Sequence, residues 1–522
     1  MPATGARPPR AVRNVLANWT GYVVGLLVNF VLSPRIVHHL GAADYGVWTL
    51  LVTVTAYLGL LDLGIRSAVT RYVARSESRG EQAASVEIAS AALGVLGPLA
   101  VVALVASVGI GWLAPALFHI PAGARTTTSE VAALIGAATA VTLVSGALGG
   151  VIVGRQRFDL LCVVDVTSTL VRAALVLTVI AADGGLVALA GAQLLVAITT
   201  AVLTAGLARR VHAGLRLRPT WSRPHMRLIV TYGGFAFVAQ LASSIIERSG
   251  VLVLGALGPV TAVTVFAIAG GLVDYVRALA GGIRTTLAPR ASALEGRGQA
   301  EALRALTLQG ARYTTLLVLP IAATFVVRGA TFIGLWMGPA YGAPSGAVLA
   351  VLAVRLVFLT ATGAAANVML GASRERSVAV VFVGEALLNV AATLALVPRL
   401  GVLGAAWGVA VPTIAAAVIV WPWLLRRRFG VAVSHYVLAA WGRPLLAVLP
   451  FTAATVLVER FWVPSSLAVF VVQTALLVPL AVIGAWGVGL TREERQRGLQ
   501  SLRAIEPLSA RRRGPPAARP AR

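Results

Sequence analysis

The chain has no lysine, a single cysteine and few charged residues for its length. Charged residues make up 12% of its 522 positions, whereas soluble globular domains carry roughly 25%. Hydrophobic residues make up 58%, and the mean hydropathy is +0.85. Cys162 stands alone, which excludes a disulfide framework and a cysteine metal site. The composition therefore predicts a protein that is surrounded largely by lipid.

All 44 basic residues are arginines, and the chain has only 19 acidic residues, so the formal net charge is +25. They form short clusters between apolar runs, whereas a nucleic-acid-binding domain concentrates its basic residues on a polar surface. We therefore expect no nucleic-acid partner. The sequence contains no Walker A, GxSxG or HExxH pattern, so we expect no cofactor, no metal and no catalytic residue.

Long apolar runs recur along the whole chain. A helix needs about 20 apolar residues to cross a bilayer, and single runs of this kind satisfy their backbone groups only as helices. The sequence therefore predicts an all-α polytopic membrane protein. We predict fourteen spans, at residues 15–37, 46–63, 86–113, 131–153, 160–181, 186–208, 229–254, 261–284, 310–333, 346–370, 377–397, 403–425, 445–463 and 465–489.

The arginines fall mainly between alternate spans. If residues 1–14 are cytoplasmic, four arginines are left at the outer surface, namely Arg35, Arg125, Arg399 and Arg460. Because positively charged segments stay on the cytoplasmic side, we expect both termini in the cytoplasm and the chain in a bacterial plasma membrane. The tail, residues 490–522, is rich in arginine and proline, so we expect it to be disordered.

The chain repeats itself at an offset of about 217 residues. Gly146 aligns with Gly363 and, after one inserted residue, Arg66 aligns with Arg284. Further matches pair Leu40 with Leu257, Gly154 with Gly371 and Gly185 with Gly401. Six spans per copy is an even number, so both copies keep one orientation. The pattern predicts parallel repeats with a substrate site at their interface and alternating access by rocking of the halves.

The duplication divides the chain into segments. We predict a basic N-terminus at 1–14, a first six-helix lobe at 15–210, a cytoplasmic linker at 211–228, a second lobe at 229–428, two further spans within 429–489, and the tail at 490–522.

Ionisable side chains inside spans are costly and usually face a cavity or a partner. Six arginines are candidates for binding a diphosphate, because a guanidinium binds phosphate oxygens bidentately and keeps its charge. They are Arg66, Arg172, Arg248, Arg277, Arg284 and Arg355. Ion pairing, snorkelling and topology are alternative explanations for these arginines. Asp274 shares a helix face with Arg277, and Asp165 shares one with Arg172.

Three carboxylates are candidates for binding a coupling ion, either H⁺ or Na⁺. They are Glu247, Asp274 and Glu385. A buried carboxylate tends to stay protonated until a base reaches it, which suits proton coupling. The alternative is that each one only balances an arginine.

The most specific pattern lies in the first 75 residues. It comprises Leu32-Ser33-Pro34, the run HLGAADYGVW from His39, LLDLG from Leu60 and RYVA from Arg71. These stretches resemble the opening of Wzx-type polysaccharide flippases of the multidrug/oligosaccharidyl-lipid/polysaccharide (MOP) exporter superfamily, whose fourteen-span, two-lobe plan is also similar. In the second lobe Val263 replaces the tyrosine of the pattern.

The resemblance implies ion-coupled flipping of a polyprenyl-diphosphate-linked oligosaccharide from the inner to the outer leaflet. It assigns no substrate residue, so the arginines rest on their placement alone. A lipid II flippase would use similar arginines and stays open as an alternative. A drug exporter fits less well, because span 1 carries no carboxylate. A membrane-embedded polymerase or ligase is also less expected, because the outer loop near residues 114–130 has few titratable groups. We expect a monomer that associates with membrane lipids and other polysaccharide-assembly proteins.

Overall fold

The computed structural model describes residues 10–118, 120, 124–211, 220, 234–496 and 500. The first half of the chain contains α1 (Arg10–Leu58), α2 (Ile65–Ser78), α3 (Gln82–Leu117), α4 (Arg125–Gly154), α5 (Phe158–Ala181) and α6 (Leu186–Val211). The second half contains α7 (Gly234–Leu257), α8 (Val260–Arg284), α9 (Leu287–Glu295), α10 (Ala300–Met337), α11 (Pro339–Gly371), α12 (Glu375–Ala415) and α13 (Trp421–Phe429). The chain then forms α14 (Val433–Val437), α15 (Arg443–Phe461) and α16 (Leu467–Gly484). The predicted linker at 211–228 lies almost wholly outside the described residues.

Twelve helical segments among the described residues are long and apolar enough to cross a membrane. Two of them are much longer than the rest, Gly21–Ser78 with 58 residues and Glu375–Phe429 with 55. Each is kinked at a glycine with non-helical backbone, Gly41 at φ 76° and Gly401 at φ 56°. Such positive φ angles suit glycine, which has no Cβ. The kinks fall where the sequence predicts that one span ends and the next begins.

Large apolar side chains cover much of the outer surface. Trp112 is 82% exposed, Leu387 67% and Ile483 66%, and many further valines and leucines are exposed as well. Apolar patches of this extent are rare on soluble monomers, because burying them from water is favourable. The surface therefore faces lipid, and the prediction of an all-α, multi-pass membrane protein is confirmed.

One helix contact occurs at corresponding positions in both halves of the chain. In the first half, Gly154 on α4 packs against α2 so closely that an added Cβ would lie 2.8 Å from the Cβ of Val73. In the second half, Gly371 on α11 packs against α9, and an added Cβ would lie 2.8 Å from the Cβ of Ala291. Val73 and Ala291 correspond once the one-residue insertion is counted. The α2–α4 contact therefore recurs as the α9–α11 contact.

The two halves are joined by hydrogen bonds near the kink at Gly41. The Nε2 atom of His38 lies 2.7 Å from the carbonyl oxygen of Met337. The hydroxyl of Thr264 donates to the carbonyl oxygen of Ala42 at 2.6 Å. Both contacts connect α1 with helices of the second half, so this end of the interface is closed.

Apolar packing between the halves follows the same distribution. Val47 and Leu50 of α1 belong to one large buried cluster together with Leu254 and Val263 of the second half. At the opposite end of the first half, residues around Ile65 on α2 pack into a separate cluster with α3 and α4. The two halves thus share a buried core near Gly41, whereas α2, α3 and α4 form a core of their own at the other end of the first half.

The C-terminal hairpin of α15 and α16 is tied to α10 by a buried arginine. Arg328 is 1% exposed, and it donates to the carboxylate of Glu459 at 2.7 Å and to the side-chain oxygen of Gln473 at 2.5 Å. Its guanidinium also lies 4.4 Å from the centre of the Phe470 ring. Arg328 is not among the six predicted arginines, although it lies inside the predicted span 310–333.

The predicted disordered tail differs from the structure at its start. Residues 492–496 are helical, and Glu494 forms an ion pair with Arg312 of α10, with side chains 5% and 6% exposed. The segment is ordered because a buried charge on α10 needs a partner of opposite sign, and the tail supplies it.

Candidate functional site

A cavity of about 540 Å³ lies between α1, α5, α6 and α8. Eleven of its twelve lining residues belong to the first half of the chain, and Tyr275 on α8 belongs to the second half. Its polar lining consists of Tyr22, Asn29, Asp165, Ser168, Thr169, Arg172, Thr200 and Tyr275. Of the six predicted arginines, Arg172 is the one that lines this cavity.

Helix α5 supplies the longest polar stretch of the cavity wall. Asp165, Thr169 and Arg172 follow one another at spacings of four and three residues, which places them on one face of the helix. Opposite them on α1, Gly25 has nothing within 4 Å of the position that a Cβ would occupy. The glycine therefore leaves room in front of the α5 face.

Arg277 is held between two carboxylates. Its Nη1 atom contacts the carboxylate of Glu247 on α7, and its Nη2 atom lies 3.0 Å from the Oδ1 atom of Asp274. Asp274 is the neighbour that the spacing on α8 predicts, whereas Glu247 comes from another helix. Both carboxylates therefore balance this arginine, as the alternative reading of the sequence allowed.

Arg355 is enclosed by protein and only 7% exposed. It donates to the carbonyl oxygen of Ile246 at 2.9 Å and to the hydroxyl of Thr413 at 3.2 Å. Glu385 lies close enough for its charge to interact with Arg355. Glu385 is itself 6% exposed, and its Oε1 atom has no hydrogen-bond partner in the described part of the chain. These two predicted residues form one buried group between α7, α11 and α12.

Arg66 and Arg284 occupy equivalent places in the two halves. A Cβ added to Gly149 on α4 would lie 3.5 Å from the Nη2 atom of Arg66. A Cβ added to Gly363 on α11 would lie 2.7 Å from the Nη1 atom of Arg284. In each half, a glycine on the neighbouring helix lies beside the guanidinium, and only at Gly363 would a Cβ come too close to it.

Arg248 on α7 is partly exposed and lies near Tyr57 of α1. The hydroxyl of Tyr57 donates to the carbonyl oxygen of Ser244 at 3.2 Å, which joins the halves at this level. Within the described ranges, four of the six predicted arginines have no carboxylate within ion-pair distance, and these are Arg66, Arg172, Arg248 and Arg284. Asp62 and Asp165 lie close enough for their charges to interact with Arg66, and Glu247 does so with Arg284, but none of these carboxylates is in ion-pair contact with the four arginines.

The architecture is that of transporters of the MOP superfamily. An inward-facing structure of a MATE family multidrug resistance transporter matches with a TM-score of 0.68 and 17% identity, covering 78% of this chain and 98% of that chain. The lipid II flippase MurJ in an inward closed conformation matches with a TM-score of 0.65 and 8% identity, covering 91% and 98%. A MOP superfamily transporter from Pyrococcus furiosus gives a TM-score of 0.55 at 15% identity, covering 80% and 95%.

Residues 39–343 match the family described as polysaccharide biosynthesis protein. This region is more than half of the chain, so the chain belongs to that family. The predicted resemblance to Wzx-type flippases of the MOP superfamily is confirmed by the family and the fold together. No curated protein matches the chain.

Proposed function

We propose that the protein flips a polyprenyl-diphosphate-linked oligosaccharide from the inner to the outer leaflet of the bacterial plasma membrane. The observation that carries the proposal is the set of four arginines without carboxylate partners, drawn from both halves of the chain. An unpaired cation inside a membrane protein is costly, so an anionic ligand would supply the missing charge. Membership of a polysaccharide biosynthesis family supports a glycan as the remainder of that ligand.

We assign the diphosphate to Arg66, Arg284 and Arg248 rather than to Arg277 and Arg355. A diphosphate needs guanidinium N–H groups that face it, because it binds through its oxygens. The N–H groups of Arg277 point to Glu247 and Asp274. Arg355 is enclosed, and two of its N–H groups already bond to protein oxygens. The geometry therefore supports a structural role for these two arginines.

The distribution of contacts between the halves supports alternating access. The halves share hydrogen bonds and a core near Gly41, and they have separate cores at the end that carries Arg66. We propose that this state is open toward the cytoplasm. Dividing the two longest helices at Gly41 and Gly401 would give the fourteen spans that the sequence predicts, with both termini cytoplasmic.

Glu385 is the carboxylate best suited to an ion-coupled cycle. Glu247 and Asp274 are occupied by Arg277. The buried Oε1 atom of Glu385 has no partner among the described residues, so it can accept a proton without breaking a hydrogen bond. We therefore propose Glu385 as the site of coupling to H⁺ or Na⁺.

A lipid II flippase is the second candidate. The fold similarity to MurJ covers 91% of this chain, and unpaired arginines would serve either diphosphate lipid. Catalysis of glycan polymerisation or ligation draws no support from the family or from the fold. The polysaccharide assignment takes precedence because it agrees with the family to which the chain belongs.

Flipping can be measured in vesicles with undecaprenyl diphosphate carrying a fluorescent oligosaccharide, and with lipid II in a parallel assay. We expect Arg66→Ala and Arg284→Ala each to slow flipping roughly tenfold or more, because a charge-assisted hydrogen bond is worth about 1.5–3 kcal/mol. Arg290→Ala, an exposed arginine on α9, is the control and should leave the rate unchanged. Equal flipping by all variants would exclude the arginine site, and flipping of lipid II alone would select the second candidate.

A further inference from the structure

The hydroxyl groups that line the cavity between α1, α5, α6 and α8 donate their hydrogen bonds to other groups of the protein. Thr169 donates its hydroxyl hydrogen to the carbonyl oxygen of Asp165 at 2.8 Å. Thr200 donates to the carbonyl oxygen of Val196 at 2.8 Å. Ser168 and Thr200 hydroxyls lie 2.7 Å apart, and since Thr200 has used its hydrogen, Ser168 is the donor. These hydroxyls therefore present lone pairs to the cavity.

The α1 and α8 side of the cavity follows the same pattern. Tyr22 donates its hydroxyl hydrogen to the carbonyl oxygen of Tyr275 at 2.5 Å. Asn29 donates one N–H to the carbonyl oxygen of Gly25 at 2.8 Å, and its side-chain oxygen remains an acceptor. The hydroxyl of Ser33 donates to the carbonyl oxygen of Asn29 at 2.7 Å, so it has no hydrogen left for a further acceptor.

Two charged groups stand at the ends of this wall. Asp165 and Arg172 are seven residues apart, so they are about 10 Å apart along the helix axis. Neither has an ion-pair partner within 4.0 Å in the described part of the chain. The wall thus combines a carboxylate, hydroxyl lone pairs and one guanidinium. A diphosphate, which is acceptor-only, meets repulsion at Asp165, whereas a sugar hydroxyl both donates and accepts.

We propose, resting on the function proposed above, that the α5 wall binds the sugar residues of the lipid-linked glycan by accepting hydrogen bonds from their hydroxyls. The diphosphate is then held by Arg66, Arg248 and Arg284, and Arg172 donates hydrogen bonds to oxygens of the sugar. The cavity volume of about 540 Å³ lies within the range of small-ligand sites. An organic cation would also meet acceptors here, but the unpaired Arg172 opposes it.

The test compares two probes on the full-length protein in nanodiscs, undecaprenyl diphosphate and undecaprenyl diphosphate carrying one N-acetylglucosamine. We expect the wild type to bind the sugar-bearing probe about tenfold more tightly. Asp165→Asn and Thr169→Val should each remove most of this difference. Thr169→Val should leave the binding of undecaprenyl diphosphate unchanged, and Asp165→Asn, which removes a repelling carboxylate, should not weaken it. Valine keeps the shape of threonine, so Thr169→Val keeps the proposal testable if Asp165→Asn fails to fold.

Thr178→Val is the matched control. Thr178 lies on the same helix and donates to the carbonyl oxygen of Ala174 at 2.9 Å, but it does not line the cavity. It should keep the tenfold preference. Equal binding of both probes by the wild type, or an equal loss of both in Thr169→Val, would overturn the sugar site alone. Binding of neither probe would instead reject the proposed function. If the protein binds tetraphenylphosphonium and Asp165→Asn abolishes that binding, the cavity is a site for an organic cation and the sugar proposal is wrong.

Discussion

The Nη1 atom of Arg284 lies 2.7 Å from the position that a Cβ on Gly363 would occupy. A methyl group there would displace the guanidinium and leave the backbone in place, because the end of an arginine side chain moves easily. At the equivalent position of the first half, a Cβ on Gly146 would lie 4.0 Å from the Cδ atom of Arg66, an ordinary contact. Arg284 therefore packs more tightly against Gly363 than Arg66 packs against Gly146.

Gly363→Ala should reduce flipping severalfold without lowering the thermal unfolding temperature, since alanine stabilises a helix interior by roughly 0.5–1 kcal/mol relative to glycine. Gly146→Ala is the control and should keep full activity. The measurements are the flipping rate in vesicles and the unfolding temperature in detergent. Full activity of Gly363→Ala would show that the position of the Arg284 guanidinium does not matter for transport.

The ion pair between Arg277 and Glu247 should matter for stability more than for substrate binding. Arg277→Gln leaves a partly buried carboxylate without its cation, and breaking a buried pair costs about 3 kcal/mol. The double variant Arg277→Gln/Glu247→Gln should recover much of this loss. Arg157→Gln removes the exposed pair with Asp159 and should cost under about 1 kcal/mol. An inactive but fully stable Arg277→Gln variant would contradict this assignment and indicate that Arg277 binds the substrate.

Closing the interface near Gly41 permanently should stop transport. The Thr264 hydroxyl meets the carbonyl of Ala42 across the halves, so cysteines at 42 and 264 in a Cys162→Ser background should cross-link. We expect oxidation to abolish flipping and a reductant to restore it. The control pair, cysteines at 107 and 132, lies within one half, where Ser107 donates to Ala132. Transport that continues after complete cross-linking of 42 and 264 would contradict rocking of the halves.

The orientation can be read from fusions in two loops. A reporter placed after residue 340 should lie outside the cell, and one placed after residue 296, between α9 and α10, should lie in the cytoplasm. Alkaline phosphatase activity at 340 and green fluorescent protein fluorescence at 296 are the measurements. The reverse pattern at either position would refute the topology that places Arg66 and Arg284 at the inner ends.

Features that depend on local order along the chain could be predicted from the sequence. The spans follow from apolar runs, the kinks at Gly41 and Gly401 fall at predicted span ends, and the Asp274–Arg277 pair follows from helix spacing. The corresponding contacts of Gly154 and Gly371 could be expected because small residues at helix contacts recur at a fixed offset along the chain.

Features that depend on how helices meet could not be predicted. Nothing local connects Arg328 with Glu459 or Arg312 with Glu494, more than 100 residues apart in each case. The excess of hydrogen-bond acceptors in the cavity could not be predicted either, since neither Tyr22 nor Tyr275 has a feature in the sequence that distinguishes it from other tyrosines of membrane proteins. Only the packing of α1 on α8 shows that the Tyr22 hydrogen is already used.

The attachment of the C-terminal hairpin to α10 through Arg328 has a practical consequence. A hairpin fastened to one half has to travel with that half whenever the halves rock. A fluorophore on the lipid-facing side of α16, at the exposed Ile483 for example, would then report the swing of the second half from outside the substrate path. With a second dye on α3, energy transfer between the two dyes would report the change in distance between the halves during each transport cycle of a single molecule.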